Sequence, residues 1–437
     1  MRRDIQTCSA LLAIAVAIGS APRPASAGDL SLHSSADLGI GSVDEDGFAL
    51  VLLEQGLSFR GFDLVLSGPL RFRIIDTDPQ DDGALRGQDW DDPSDFARIA
   101  REVAFRKELD DGVVDVALGE LNGVSVGHGA AVDHYFNSVD MDHYHGGVRL
   151  DVGYAGNGVE FVLNDVVAPE LLVGRARVAP FAWFLDGDWP RRLELGFTLG
   201  SDIAAPRRVM STADTAIVFG GGDVSLRVLD LAAASLTPYV DVMGMDGDAG
   251  VHAGLAATLT FSEQKGIVLR ARGEYRRLGS DYHPALLNPF YERSRRFYSR
   301  DPAEGGVNTF ADHLANPETR DPEANGWMAD ARFEIGRAFT FGARFDSEGA
   351  DRPHWLLLEA SLSPNDRFDV HALYGGRDPD GARSIFSEDA LIGFGTRARI
   401  WKPFSAFAEF SRRYRRIGGD MPFANETAFG VGIYFSY

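Results

Sequence analysis

Residues 267 to 277, IVLRARGEYRR, alternate with period two. Ile267, Leu269, Ala271, Gly273 and Tyr275 fall on one face of an extended chain, and Arg270, Arg272, Glu274 and Arg276 on the other. The pattern recurs in ARFEIGRAFTFGARFD, where Ala331, Phe333 and Ile335 oppose Arg332 and Glu334. Past a turn near Arg337, Phe339, Phe341, Ala343 and Phe345 oppose Thr340, Gly342, Arg344 and Asp346. A strand of this kind has one side for an apolar medium and one for water. The pattern makes the chain all-β, although a soluble sandwich would also alternate.

Three further features separate a soluble sheet from a membrane barrel. Strand-like runs of about ten residues recur, close to the length a tilted strand needs to cross a bilayer. Short connections, at Arg60-Gly61 and residues 110 to 112, 155 to 157, 262 to 265 and 363 to 366, interleave with long polar ones. The long set comprises residues 76 to 97, 121 to 144, 201 to 221, 279 to 326, 376 to 389 and 415 to 426. The third feature is the chain end, TAFGVGIYFSY, where Phe429, Val431, Ile433, Phe435 and Tyr437 share a face. This end resembles the assembly signal of Gram-negative outer-membrane β-barrels, with Gly432 followed by Phe435 and Tyr437. It departs from that signal at Gly430, where a polar residue is usual. Trp183, Trp189, Trp327, Trp355 and Trp401 fall near strand ends, where such barrels carry interfacial girdles.

The resemblance implies a transmembrane antiparallel β-barrel with short periplasmic turns and long extracellular loops. We expect about eighteen strands, within sixteen to twenty, because such single-chain barrels have an even number. Residues 47 to 437 supply nineteen, so LSLHSSADLGI becomes a twentieth strand or one stretch has been divided. No boundary interrupts residues 28 to 437, which read as a single barrel domain.

Ahead of that domain, Arg2 and Arg3 precede an apolar run from Leu11 to Ile18, and Ala25-Ser26-Ala27 follows. Residues 1 to 27 therefore read as an export signal, with an apolar core too short to span a bilayer. The one cysteine, Cys8, lies in it, so no disulfide or cysteine-ligated metal is expected beyond. The whole chain carries a formal charge of −21. Loss of Arg2, Arg3 and Arg23 with Asp4 makes the rest two charges more negative, which disfavours nucleic acid as a partner.

Residues 127 to 147, GHGAAVDHYFNSVDMDHYHGG, hold four of the ten histidines. His134, His143 and His145 with Asp142 form a candidate metal set, although the spacing fits no defined zinc motif. A second reading pairs Ser125 or Ser138, as nucleophile, with His128 or His134 as base, which would make the barrel a lipid hydrolase. The third is a folded loop or pore mouth, and it is the reading adopted, so no enzyme is expected. Residues 76 to 95 carry eight aspartates, suited to a hard cation such as calcium. A loop starting at Asp78 offers Asp82 and Gly83, but Gln80 and Asp89 break the EF-hand pattern. Asp246-Gly-Asp248 and Asp378-Pro-Asp380-Gly381 are weaker versions. Without such an ion, no cofactor is expected.

Arg270, Arg272, Glu274, Arg276, Arg332, Glu334, Arg344, Arg397, Arg399, Glu409 and Arg413 all fall on the polar phase of their strands. An arginine facing lipid at mid-height would cost about 2–4 kcal/mol, so these side chains are expected to line the pore. Arginines opposite acids make a transverse field that selects charged solutes; the alternative is an internal ion-pair network around a plug. The longest loop adds Arg293, Arg295, Arg296 and Arg300, either folded inward or held against lipid phosphates. The resemblance implies an outer-membrane, porin-like channel for passive diffusion of small hydrophilic, preferentially anionic, solutes. Its partners would be outer-membrane lipid and the barrel-assembly machinery, with a homotrimer left open. The alternatives are the lipid hydrolase and a plugged barrel that binds or passes hydrophobic compounds or polysaccharide.

Overall fold

The computed structural model describes residues 30–77, 83–185, 187–206, 215–300, 307–316, 321–350, 352–365, 367–378, 390–415 and 422–436. Residues 1 to 27, read above as an export signal, lie outside them. The chain is a closed antiparallel β-barrel of twenty strands. In order these are β1 (Ser31–Val43), β2 (Asp46–Phe59), β3 (Phe62–Ile75), β4 (Glu102–Leu109), β5 (Gly112–Gly119), β6 (Gly147–Tyr154), β7 (Asn157–Leu163), β8 (Leu171–Val178), β9 (Leu193–Ala205) and β10 (Thr215–Leu226). They continue with β11 (Ala234–Met245), β12 (Asp248–Ser262), β13 (Ile267–Leu278), β14 (Ala324–Ile335), β15 (Phe339–Ser347), β16 (His354–Asn365), β17 (Phe368–Asp378), β18 (Leu391–Trp401), β19 (Phe404–Tyr414) and β20 (Phe423–Ser436).

The count is twenty rather than eighteen because the Ser- and His-containing stretch near the start is a full strand. β1 pairs with β2 on one side and with β20 on the other, Leu38 lying opposite both Val51 and Val431. Closure gives every strand a neighbour on both sides, the condition for holding β structure in lipid. Among the described residues no helix is long and apolar enough to cross a membrane.

The outer face is apolar. Phe197, Leu199, Val242, Leu255, Phe261, Phe341, Phe394, Phe429 and Val431 are exposed on it, in phase with one another across the strand registers. Trp183, Trp189 and Trp401 are exposed towards the rim that carries both chain ends, and Trp327 is exposed towards the opposite rim. Trp355 departs from the expected girdle. It points inward and is 1% exposed, because Arg344 lies over its ring and Phe290 meets it edge-on.

Tight connections follow from left-handed turn residues. Arg60-Gly61, Ala155-Gly156 and Asp246-Gly247 each have two consecutive positive φ angles, the geometry of a two-residue hairpin matched to strand twist. Asp246-Gly-Asp248 is thus a hairpin turn rather than a cation loop. The segment 201–221 is mostly strand, since β9 runs to Ala205 and β10 starts at Thr215. Asp380 and Gly381 lie outside the described residues.

The two longest loops do not stay outside the barrel. Residues 120 to 146, between β5 and β6, and the loop after β13 meet at a parallel bridge between Val132 and Leu287. Their apolar side chains pack with inward wall residues Val173, Ile217, Phe219 and Met243 in one cluster. That cluster lies in the half of the lumen next to the loop rim, and a second, of Phe136, Val139 and Phe290, packs on Trp355, Leu357 and Leu391 of the opposite wall. A 3-10 helix, Pro93–Ala100, covers the wall beside it, capped by Asp92 and Asp95. Beside this helix β3 and β4 share only the pairs Phe62–Phe105 to Val65–Glu102. Further up, β3 pairs with the loop instead, through Arg73 N–H to Ala84 O and Arg86 N–H to Arg71 O.

Candidate functional site

Asp133 holds the first inward loop to the wall. It is fully buried and accepts hydrogen bonds from Arg272 on β13, from Arg344 on β15 and from Ser125 Oγ at 2.7 Å. His134, which has a positive φ, sets its Nδ1 2.9 Å from the same carboxylate. Burial alone would raise the Asp133 pKa. The Arg272 and Arg344 guanidiniums and His134 outweigh burial and hold the carboxyl well below the ordinary range.

From Asp133 the charges run on without a break. Arg344 donates to Asp346 at 2.7 Å, Arg276 donates to the other oxygen of Asp346 at 2.7 Å, and Arg276 also donates to Glu274. Glu274 accepts from Tyr239 at 2.8 Å and lies 2.9 Å from His252 Nδ1, while His252 Nε2 is 2.7 Å from the Tyr282 hydroxyl. Tyr282 belongs to the second inward loop. One buried network therefore ties both loops to strands β11, β12, β13 and β15, each charge meeting an opposite one as a low-dielectric site requires.

Two further anchors hold the plug. Arg175 on β8 binds Glu160 at 2.7 Å and Asp223 at 2.9 Å, and Glu160 also accepts the Gly127 N–H at 3.0 Å. Arg295 binds Asp202 at 2.8 Å and also Glu170, and Tyr291 donates to Asp202 at 2.8 Å. Arg295 is thus committed inside the barrel, not to lipid phosphates. Arg293 lies over the rings of Phe297 and Phe423.

Below the plug, towards the chain ends, a cavity of about 320 Å³ opens. His134, Arg270, Arg272, Asp330, Arg332, Arg344 and Glu359 line it. Arg270 and Arg332 share Glu334, at 2.6 and 3.0 Å, and their side chains stay 52% and 49% exposed to the interior. Arg332 also pairs with Glu359 at 3.7 Å. Farther round the wall, Arg397 makes two bonds to Asp37, at 2.9 and 2.6 Å, and Arg413 binds Glu426 at 2.7 Å. Arg399 lies over the Tyr434 ring, and Glu409 faces the open lumen. The eleven polar-phase residues therefore divide. Arg272, Glu274, Arg276 and Arg344 are buried in plug anchors, while Arg270, Arg332, Glu334 and Glu409 border open space.

The metal set read from the sequence is not brought together. His145 pairs with Asp165 at 3.0 Å, Asp142 is held by Arg86 and by Arg415 at 3.0 Å, and His134 faces Asp133. His143 lies near Asp91 and Asp95, and His128 near Asp223 and Asp241. Arg98 approaches Asp95, and Arg175 neutralises Asp223. The hydrolase geometry also fails. Ser125 donates to Asp133 instead of to a histidine, and the nearest hydroxyl partner of Ser138 is Asn122 at 3.3 Å. His128 stacks on Tyr239 with ring centres 4.1 Å apart. In the acidic loop Asp89 is buried against Arg71 and Arg86, both at 2.6 Å, and Arg98. Asp78, Gln80 and Asp82 lie outside the described residues.

No protein-family model matches the chain, and no curated protein matches it. Solved structures resemble it over most of its length. The outer membrane protein opdK from Pseudomonas aeruginosa is 8% identical with a TM-score of 0.33, covering 94% of this chain and 99% of that one. The siderophore receptor PirA from Pseudomonas aeruginosa is 10% identical with a TM-score of 0.39, covering 95% and 81%. A mutant of the Rh. blastica porin is 12% identical with a TM-score of 0.29, covering 93% and 100%.

Missing from the sequence reading was the plug role of residues 120 to 146. One signal for it existed: Val124, Val126, Ala130, Ala131 and Val132 are more apolar than a solvated loop needs.

Proposed function

We propose that this protein is an outer-membrane channel for small hydrophilic solutes, with a preference for anions set by Arg270 and Arg332. The observation that carries the reading is the cavity below the plug, lined by Arg270, Arg272, Arg332 and Arg344 against Asp330 and Glu359, with Arg270 and Arg332 half-exposed to the lumen although paired with Glu334 and, for Arg332, Glu359. A field of that sign in a narrow low-dielectric bore concentrates anions. Passive diffusion needs no nucleophile or cofactor, and the serine and histidine geometry supplies neither a triad nor a metal at His134.

A second reading rests on the apolar cluster formed by both inward loops across the lumen. It is a plugged barrel whose solute passes only when those loops shift. Reversal potentials in a potassium chloride gradient test the anion preference. Chloride preference is expected in the natural chain and should fall in the Arg270→Gln, Arg332→Gln variant. Unchanged selectivity in that variant would remove the role given to these arginines.

A further inference from the structure

We propose that His283, His313 and Asp321 form a binding site for a divalent transition-metal ion, zinc first, that staples the two ends of the loop between β13 and β14. His283 lies near the start of that loop, and His313 and Asp321 lie near its end. Three features of the fold bring them together. Arg352, buried, donates to the carbonyls of Gly279, Ser280 and Tyr282 at one end and of Pro322 at the other, at 2.6–3.2 Å. The helix Phe310–Ala315, started by a reciprocal Thr309–Asp312 cap, presents His313. Phe310 meets the His283 ring edge-on at 5.1 Å, and Tyr298 lies 4.5 Å from the His313 ring, so the site is walled by aromatic surface.

Nε2 of each histidine lies 3.2 Å from Oδ2 of Asp321. Donors bound tetrahedrally at about 2.0–2.2 Å are roughly 3.3–3.6 Å apart, so both spacings are close to the edges of a zinc tetrahedron. The second observation is the state of His283. Its side chain is 6% exposed, and its buried Nε2 has no hydrogen bond despite that short approach. Its Nδ1 lies 3.0 Å from Glu348, a carboxylate placed as the outer partners of metal-bound histidines are placed. In the tautomer whose Nδ1–H donates to Glu348, the Nε2 lone pair faces the Asp321 oxygen, an arrangement that a shared cation stabilises. Among the described residues the ion-pair partners of Asp321 are the two imidazoles, whereas Asp223 near His128 is engaged by Arg175 and Asp95 near His143 by Arg98. Two imidazoles and a carboxylate suit zinc and its neighbours better than calcium or magnesium.

The test uses the untagged full chain refolded in detergent. Zinc chloride is titrated by calorimetry, and cobalt(II) is followed by visible absorption. We expect one tight equivalent of zinc and a tetrahedral cobalt band. Both should weaken at least tenfold in His313→Ala and in the isosteric Asp321→Asn, by about 10–100-fold in Glu348→Gln, and not at all in His371→Ala. A natural chain that shows no cobalt band, or zinc binding that Asp321→Asn leaves intact, would overturn the proposal. His283 would then be an imidazolium held between Glu348 and Asp321.

Discussion

Asp133 is the residue on which the lumen's shape turns. Replacing it with alanine leaves Arg272 and Arg344 facing each other across a buried site, and removing one member of a buried ion pair costs about 3–5 kcal/mol. Because the barrel wall has its own strand pairing, we expect the strain to release the loop and not to unfold the sheet. Single-channel conductance of Asp133→Ala should therefore exceed that of the natural chain, with strand content by circular dichroism unchanged. Equal conductance would mean that the loop is held by its apolar contacts alone. The pH dependence has a definite sign. A carboxyl with a folded-state pKa below its unfolded value stabilises above the unfolded value of about 3.9 and loses that contribution as pH falls through the folded one. Conductance should be flat from neutral pH to about 4 and rise only in stronger acid. A rise near pH 6 would place the switch on a histidine and contradict the role given to Asp133.

Among the elements, the seam between β3 and β4 is the weakest part of the wall. Four residue pairs join these strands, against thirteen between β1 and β2, and loop residues 84 to 86 complete the upper part. Local opening follows low contact and exposed hydrogen bonds. Amide exchange should therefore be faster in Arg71–Arg73 than in Leu50–Leu52 of the neighbouring strand, and equal protection at the two places would show that the loop segment seals the seam as well as a strand does. The same comparison explains what could be read from sequence. Strands with a strict lipid and water face, such as β13 to β15, were legible down to the turn, because a one-residue slip would put arginine in lipid. β1 was ambiguous because Ser34 and Ser42 interrupt the lipid-facing phase of Leu32, Ala36, Leu38 and Ile40. Trp355 read as a girdle residue since nothing local reports that a loop phenylalanine, Phe290, covers it. The plug role of the histidine loop was missed for a similar reason: its partners Arg175, Arg272 and Arg344 lie on strands outside it, and the phase of Arg272 and Arg344 was legible while their pairing was not.

For the whole molecule, the central point is a closed cylinder with acyl chains outside and hydrated arginines within, partly filled from one end by its own loops. Residues 28 to 437 contain no cysteine, so single cysteines can report each face. The decisive measurement is labelling of the reconstituted protein with a bulky, membrane-impermeant maleimide and, separately, with a lipid-soluble one. Cysteine at position 270 or 332 should react with the water-soluble reagent, and cysteine at position 255 or 341 only with the lipid-soluble one. Water-soluble labelling at 255 and 341, with 270 and 332 reached from the lipid, would contradict the barrel's assigned inside and outside.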